Sequence, residues 1–189
     1  MERTLDTAIT ILGFFALASA TPAKAAEIKF VFNNYCPYPL YIREAVAEHP
    51  GSRPNERCAN FSESPGAKMT PGGTFTNQFP IYKDTCGYSV EVSRYPGEPV
   101  YQFEYVWALE NGRVWYNLSH ESDNPFTDVV RALGARRSGC PFLQCPAGDD
   151  GSACDYPHQT DCAQLDGLQG FFCNEPKWTM EMNNDQWLN

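Results

Sequence analysis

Alternation between apolar and polar positions is clearest between residues 98 and 126, EPVYQFEYVWALENGRVWYNLSHESDNPF preceded and closed by prolines. Side chains on a strand point to opposite faces with a period of two, so the stretch sorts into two sets. Tyr101, Phe103, Tyr105, Trp107, Leu109, Val114, Tyr116 and Leu118 form a wholly apolar set. Gln102, Glu104, Val106, Ala108, Glu110, Arg113, Trp115, Asn117 and Ser119 form a mixed one. The first predicts a core face, and the second a floor open to a cleft, a groove or solvent. Asn111-Gly112 sits between the two halves and predicts a β-hairpin with a two-residue type I′ turn. That turn sets Leu109 opposite Val114, Trp107 opposite Tyr116 and Tyr105 opposite Leu118. Glu104 then lies opposite Ser119 and diagonal to Asn117.

Shorter alternating runs flank this hairpin. Residues 28–32 (IKFVF) predict a first strand, and Leu40–Val46 a second that returns antiparallel to it. Residues 47–68 are polar and rich in Gly, Pro, Ser and Glu, a loop long enough to need a staple, for which Cys58 is the candidate. Thr70-Pro71-Gly72-Gly73 is a turn leading into a strand, Ser89–Ser93 alternates again, and Asp128–Leu133 is one more strand. Beyond Cys140 the chain reads as loops held by disulfides, ending at Phe171-Phe172-Cys173. Short strands separated by turns, without a helical pattern, predict an all-β sandwich or barrel.

The N-terminus changes the setting. Ala8–Ala18 is an apolar run of eleven residues followed by small ones, too short to cross a membrane. It reads as a signal peptide over residues 1–26, with cleavage possible after Ala20, Ala25 or Ala26. Residues 27–174 then form the β domain and 175–189 a polar tail. The expected location is secreted and extracellular. Cys36, Cys58, Cys86, Cys140, Cys145, Cys154, Cys162 and Cys173 all lie in the β domain. An even count behind a signal peptide predicts four disulfides, with connectivity open. The spacing lacks Cys-x-x-Cys, and His158 is the one histidine in the cysteine-dense stretch, which argues against zinc.

The net charge is −9, and residues 140–189 carry eight acids against one lysine. That balance argues against nucleic acid or an anionic membrane as partner. No span is expected beyond the N-terminal run, and the mature chain reads as a soluble monomer. No cofactor motif is present. His120-Glu121 does not continue to His-Glu-x-x-His, because position 124 is Asn, and Asp149-Asp150-Gly151 reads as a turn rather than a calcium loop. Gly-x-Ser-x-Gly is absent. Asn60-Phe61-Ser62 and Asn117-Leu118-Ser119 are glycosylation sequons, with Asn60 the better acceptor.

Several motifs occur in a recognisable order. Asn33-Asn34-Tyr35-Cys36-Pro37-Tyr38-Pro39-Leu40-Tyr41 resembles the opening of the fungal thaumatin-like proteins, the secreted yeast-phase-specific antigen family. Thr70-Pro71-Gly72-Gly73 resembles that family's Pro-Pro-Gly-Gly turn. Phe103-Glu104-Tyr105, Val114–Ser119 and Asp123–Phe126 resemble its hairpin and following loop. Cys145, Cys154, Cys162 and Cys173 resemble its cysteine-rich end. The resemblance implies a thaumatin-like β-sandwich with disulfide-bonded loops and an acidic cleft. It also implies pairing of the first and last cysteines, Cys36 and Cys173.

In plant thaumatin-like proteins the cleft carries one Glu and two Asp. Glu104 matches the Glu and Asp123 the second Asp, whereas Asn117 stands at the first Asp position. Hydrolysis of a glycan needs an acid and a base or nucleophile flanking one bond, and an amide supplies neither. The expected function is therefore non-catalytic binding of a cell-wall polysaccharide, β-glucan-like, or of a host surface component. Glu104, Trp115, Asn117 and Asp123 are the expected cleft residues, Trp115 stacking on a sugar and the others bonding its hydroxyls. Two alternatives stand beside it: a weak β-glucan hydrolase using Glu104 and Asp123, and a secreted antigen or effector acting through protein contact.

Overall fold

The computed structural model describes residues 28–47, 58, 60–79, 81, 86–97, 99–108, 110–136, 139–163 and 167–173. The proposed signal peptide, the tail from 175 onward and Leu109 lie outside the described residues.

Two sheets pack face to face, and no helix occurs among the described residues. Twelve strands build them: β1 Phe30–Asn34, β2 Leu40–Val46, β3 Ser62–Glu63, β4 Ala67–Met69, β5 Thr74–Thr76, β6 Gly87–Ser93, β7 Tyr101–Trp107, β8 Val114–His120, β9 Arg131–Ala135, β10 Phe142–Cys145, β11 Gln159–Cys162 and β12 Leu168–Phe172. The smaller sheet runs β10-β9-β12-β1-β5. The larger runs β11-β8-β7-β6-β2-β3, with β4 also pairing to β2. The all-β sandwich with disulfide-bonded loops is thus the architecture observed.

The apolar set of the hairpin is the core. Tyr101, Phe103, Tyr105, Val114, Tyr116 and Leu118 are buried, and Trp107 is half-buried against them. Phe103 is the meeting point of the two layers. Its ring lies 5.8 Å from Phe30, 5.2 Å from Phe32 and 5.3 Å from Phe172. Each such aromatic removes a large apolar area from water, which is the main favourable contribution to folding.

The hairpin register differs from the expectation by two residues. Trp107 pairs with Val114, Tyr105 with Tyr116, Phe103 with Leu118 and Glu104 with Asn117. Gly112 takes φ of 68°, but Asn111 does not enter the left-handed region. The Asn111 Oδ1 instead accepts from Arg113 N at 2.9 Å, and Gly112 N donates to Ala108 O at 3.0 Å. Ala108 N also donates to Arg113 O at 2.9 Å, so the two strands are joined beyond that pair and the type I′ geometry is not used. A slip of two leaves every side chain on its expected face, whereas a slip of one would have inverted both faces.

Two further expectations are corrected. First, β1 and β2 do not pair. β1 lies between β12 and β5, and β2 belongs to the other sheet beside β6. The crossing is held by Asn34, which is fully buried. Its Oδ1 accepts from Cys36 N at 3.0 Å, and its Nδ2 donates to Tyr38 O at 3.0 Å and Thr70 O at 3.2 Å. A buried amide with these bonds satisfied stabilises a sharp exit that a hairpin turn would not need.

Second, the region after Cys140 is not only loops, since β10, β11 and β12 lie there. β12 is buried along its whole length, pairing parallel with β1 and antiparallel with β9. A strand covered on both faces loses its alternation. Gly170 also belongs in it: a Cβ there would meet the Phe103 ring at 2.8 Å and the Phe30 ring at 3.0 Å. Elsewhere residues 47–68 contain β3 and β4, and the expected strand over 128–133 is β9, shifted to 131–135.

Four disulfides close the fold: Cys36–Cys173, Cys58–Cys86, Cys140–Cys162 and Cys145–Cys154. The pairing of first with last is the one the resemblance implied. Cys58 staples the long loop, as its position suggested. Bridges of this density belong to oxidising compartments.

Candidate functional site

The outer face of the larger sheet carries the mixed residues in cross-strand rows. One row runs Arg43, Glu91, Gln102, Ser119 through successive pairings of β2, β6, β7 and β8. The next runs Ala45, Ser89, Glu104, Asn117, Gln159, adding β11. The third brings Trp115 between Val106 and Asp161. Small residues at Ala45, Ser89 and Gly87 leave the centre of this face low. Above it opens a cleft of about 550 Å³.

Glu104 and Asn117 are directly opposite, and Asn117 Nδ2 donates to Glu104 Oε2 at 2.6 Å. In the neighbouring row Glu91 is buried and closely held. Its Oε2 accepts from Arg43 Nε at 2.5 Å, and its Oε1 from Gln102 Nε2 at 3.1 Å. Gln102 Oε1 accepts from Ser119 Oγ at 3.1 Å, and Gln102 Nε2 also reaches Glu121 Oε1 at 3.4 Å. Three carboxylates therefore line the cleft, and Arg43, which pairs with one of them, Glu91, is shared with Glu63.

Aromatic groups complete the lining. Trp115 is half-buried on the floor, while Phe61 and Tyr156 line the same cleft and are 60% and 64% exposed. Large rings left this open in a folded chain offer stacking surface to something outside it. Arg113 flanks Trp115 and donates from Nε to Asp161 Oδ1 at 2.6 Å.

Of the residues expected from sequence, the structure brings Glu104, Trp115 and Asn117 to one cleft. Asp123 is not part of its lining. It is exposed, three residues beyond the end of β8, on a loop directed elsewhere by Asn124, whose Nδ2 donates to Asp150 O at 3.1 Å. Glu91, Glu121, Phe61 and Tyr156 were not anticipated. Glu91 had a signal in the alternation of residues 89–93. Phe61 and Tyr156 had none, because their proximity depends on how two loops return to the sheet. Of the two sequon asparagines, Asn60 is exposed on the long loop, and Asn117 is half-buried with its amide on Glu104.

A second polar assembly lies inside the molecule. Arg131 is fully buried. Its Nη1 donates to Phe126 O at 2.5 Å and Val129 O at 3.2 Å, its Nη2 to Asp149 O at 2.9 Å, and its guanidinium lies 5.3 Å from the Tyr101 ring. Tyr101 OH donates to Asp155 Oδ1, and His120 Nδ1 lies 2.9 Å from Asp155 Oδ2. Burial first, and the Asp155 carboxylate second, push the Tyr101 phenol far above its ordinary range, so it remains a donor. The Cys145 and Cys154 sulfurs and the Asp149 carboxylate lie within 4.8 Å of one another. Both sulfurs are spent in one disulfide, which leaves no thiolate for a metal.

Sandwich, disulfides and an acidic, aromatic-rimmed cleft define the class: a disulfide-stabilised all-β protein with a polar groove on one sheet. The family model described as Bys1, Blastomyces yeast-phase-specific protein, matches residues 16–174, and the chain belongs to that family. Among solved structures it is similar to the protein elicitor MoHrip2 from Magnaporthe oryzae, with a TM-score of 0.59 and 21% identity over 78% of this chain and 99% of that one. At that identity the likeness concerns the fold. No curated protein matches the chain significantly.

Proposed function

We propose that the chain is a secreted, thaumatin-like protein that binds a cell-wall polysaccharide of the β-glucan kind in the cleft on its larger sheet, without catalysis. The observation that carries this reading is the combination of Trp115, Phe61 and Tyr156 around the hydrogen-bonded Glu104–Asn117 pair. Sugar rings present apolar faces that stack on aromatics and hydroxyls that bond carboxylates and amides, and this cleft offers both. The family membership and the disulfides support secretion.

The non-catalytic part rests on the partners of the carboxylates. Glu104 faces a neutral amide, and Glu91 is neutralised by Arg43. Asp123, the partner required by a hydrolase using Glu104, is outside the lining. A second reading, recognition by another protein, is favoured by the likeness to a protein elicitor, and the exposed rim aromatics would suit it too.

Incubating purified protein with insoluble β-glucan and chitin, with and without deglycosylation, tests these readings together. The expected result is retention on glucan with no reducing sugar released above the buffer blank. Trp115→Ala should weaken retention on the order of tenfold, by removing the stacking surface of the floor. Released sugar that disappears in Glu104→Gln would support the hydrolase. Neither retention nor release would favour the protein-contact reading.

A further inference from the structure

A second cavity, of about 640 Å³, lies on the same outer face of the larger sheet. It is lined by Tyr41, Arg43, Lys68, Ser93 and the Pro96-Gly97 turn, and it shares Glu91 with the cleft. The two cavities meet at that residue. Their floors are consecutive rows of one sheet. Tyr41 pairs with Ser93 and Arg43 with Glu91 in the second cavity; Ala45 pairs with Ser89 in the first, and Ala47 N bonds Gly87 O beyond it. From Tyr41 to Ala47, one residue past the end of β2, is six residues, roughly 20 Å of extended chain.

One wall also continues along both. The segment carrying β3 and β4 runs beside β2, giving Phe61 to the first cavity and Glu63, Gly66 and Lys68 to the second. The saddle between them is the Arg43–Glu91–Gln102 row. Its base is held firmly, since Glu91 is 6% exposed and accepts from Arg43, Gln102 and Ser89, while the Arg43 side chain stands 41% exposed on it and also reaches Glu63 at 2.6 Å. Lys68 is exposed at the far end, and its side chain makes no hydrogen bond or ion pair among the described residues.

We infer that the two cavities are sections of one groove, and that its ligand is a linear glycan chain of at least four sugar units lying along β2. The inference rests on the glycan reading of the cleft and specifies its ligand. A short oligosaccharide fills only the Trp115 section. A longer one crosses the Arg43–Glu91 saddle and uses Tyr41 and Lys68 as well. Each ring beyond those that fill the first section adds contacts without a second loss of translational freedom, so affinity rises with length until the groove is full.

Isothermal titration of the full mature protein with laminari-oligosaccharides, from disaccharide to hexasaccharide, tests this. The hexasaccharide should bind on the order of tenfold or more tightly than the disaccharide. Gly66→Leu should erase that gain. A Cβ at Gly66 meets nothing within 4 Å, so the side chain projects into open space and the fold tolerates it. Thermal melting of the variant alongside wild type verifies that tolerance. Equal affinity at all lengths, no binding of any oligosaccharide, or a Gly66→Leu variant that keeps the gain would each overturn the two-section groove. Retention on insoluble glucan reads the cleft itself, so the groove can fail while the glycan reading stands.

Discussion

Tyr101 and Gln102 are adjacent in the chain, yet each belongs to a polar assembly of a different kind. Tyr101 points inward to Asp155 and, through its ring, to Arg131. Gln102 points outward to Glu91, Ser119 and Glu121. The inner assembly is sealed: Arg131 and Asp155 are 0% and 3% exposed, and their bonds tie the 126–129 and 149–155 loops to the sandwich. The outer one faces a cavity, and Glu104 and Glu121 keep acceptor capacity directed into it. Similar polar groups thus form a scaffold where water is excluded and line the proposed binding cleft where it is not. The cost of losing a partner differs accordingly, because a buried orphan pays its full desolvation penalty and an exposed one is rehydrated.

The largest expected effect follows directly. Arg131→Met should destabilise the protein by about 3–5 kcal/mol, since it strips donors from buried carbonyls and charge from a sealed site. Ser119→Ala, at a half-buried position of the outer row, removes one donor from Gln102 and should cost no more than about 1 kcal/mol. Denaturant unfolding of the two variants would measure the contrast, and equal shifts in midpoint would abolish the distinction between the assemblies. Next in size is removal of the bridge beside Asp155. Cys145→Ala with Cys154→Ala frees a loop with a sequence separation of 9 and should cost about 2–3 kcal/mol. It should leave glucan retention intact if the cleft is independent of the sealed side.

The smallest effect sharpens the comparison on β2, where Arg43 points out and Glu44 points in. Glu44 is 1% exposed and accepts from Gln78 N at 2.8 Å. Burial raises its carboxyl above the ordinary 4.5, and the bonds from Gln78 and Phe79 offset only part of that. A carboxyl raised in the folded state favours folding when protonated. Its contribution is full below about pH 4.5 and is lost as pH rises through the raised value. Unfolding free energy measured against pH should therefore decline across that window in wild type, and Glu44→Gln should flatten the decline. An unchanged slope in the variant would assign the pH dependence to other groups.

Alternation by itself determined which hairpin residues are core and which face the cleft. Period two is a local property of extended backbone, and it survives the two-residue slip in the hairpin register. The cysteine count and the apolar N-terminal run similarly sufficed to expect a disulfide-bonded secreted chain, and the motif order sufficed for the yeast-phase-specific family, though not for its thaumatin-like character. Tertiary structure alone decided the rest. The placement of β1 and β2 in separate sheets depends on Asn34 bonding Tyr38 and Thr70, contacts invisible to either strand's own pattern. β12 was hidden because a strand covered on both faces needs no alternation, and Gly170 reads as a loop residue until Phe103 and Phe30 are seen against it. The cleft's rim was hidden for a related reason. Phe61 and Tyr156 lie 95 residues apart, and only the return of their loops to one sheet face makes them neighbours of Trp115. Local pattern encodes the direction in which a side chain points, but what it meets there depends on long-range packing that no short window contains.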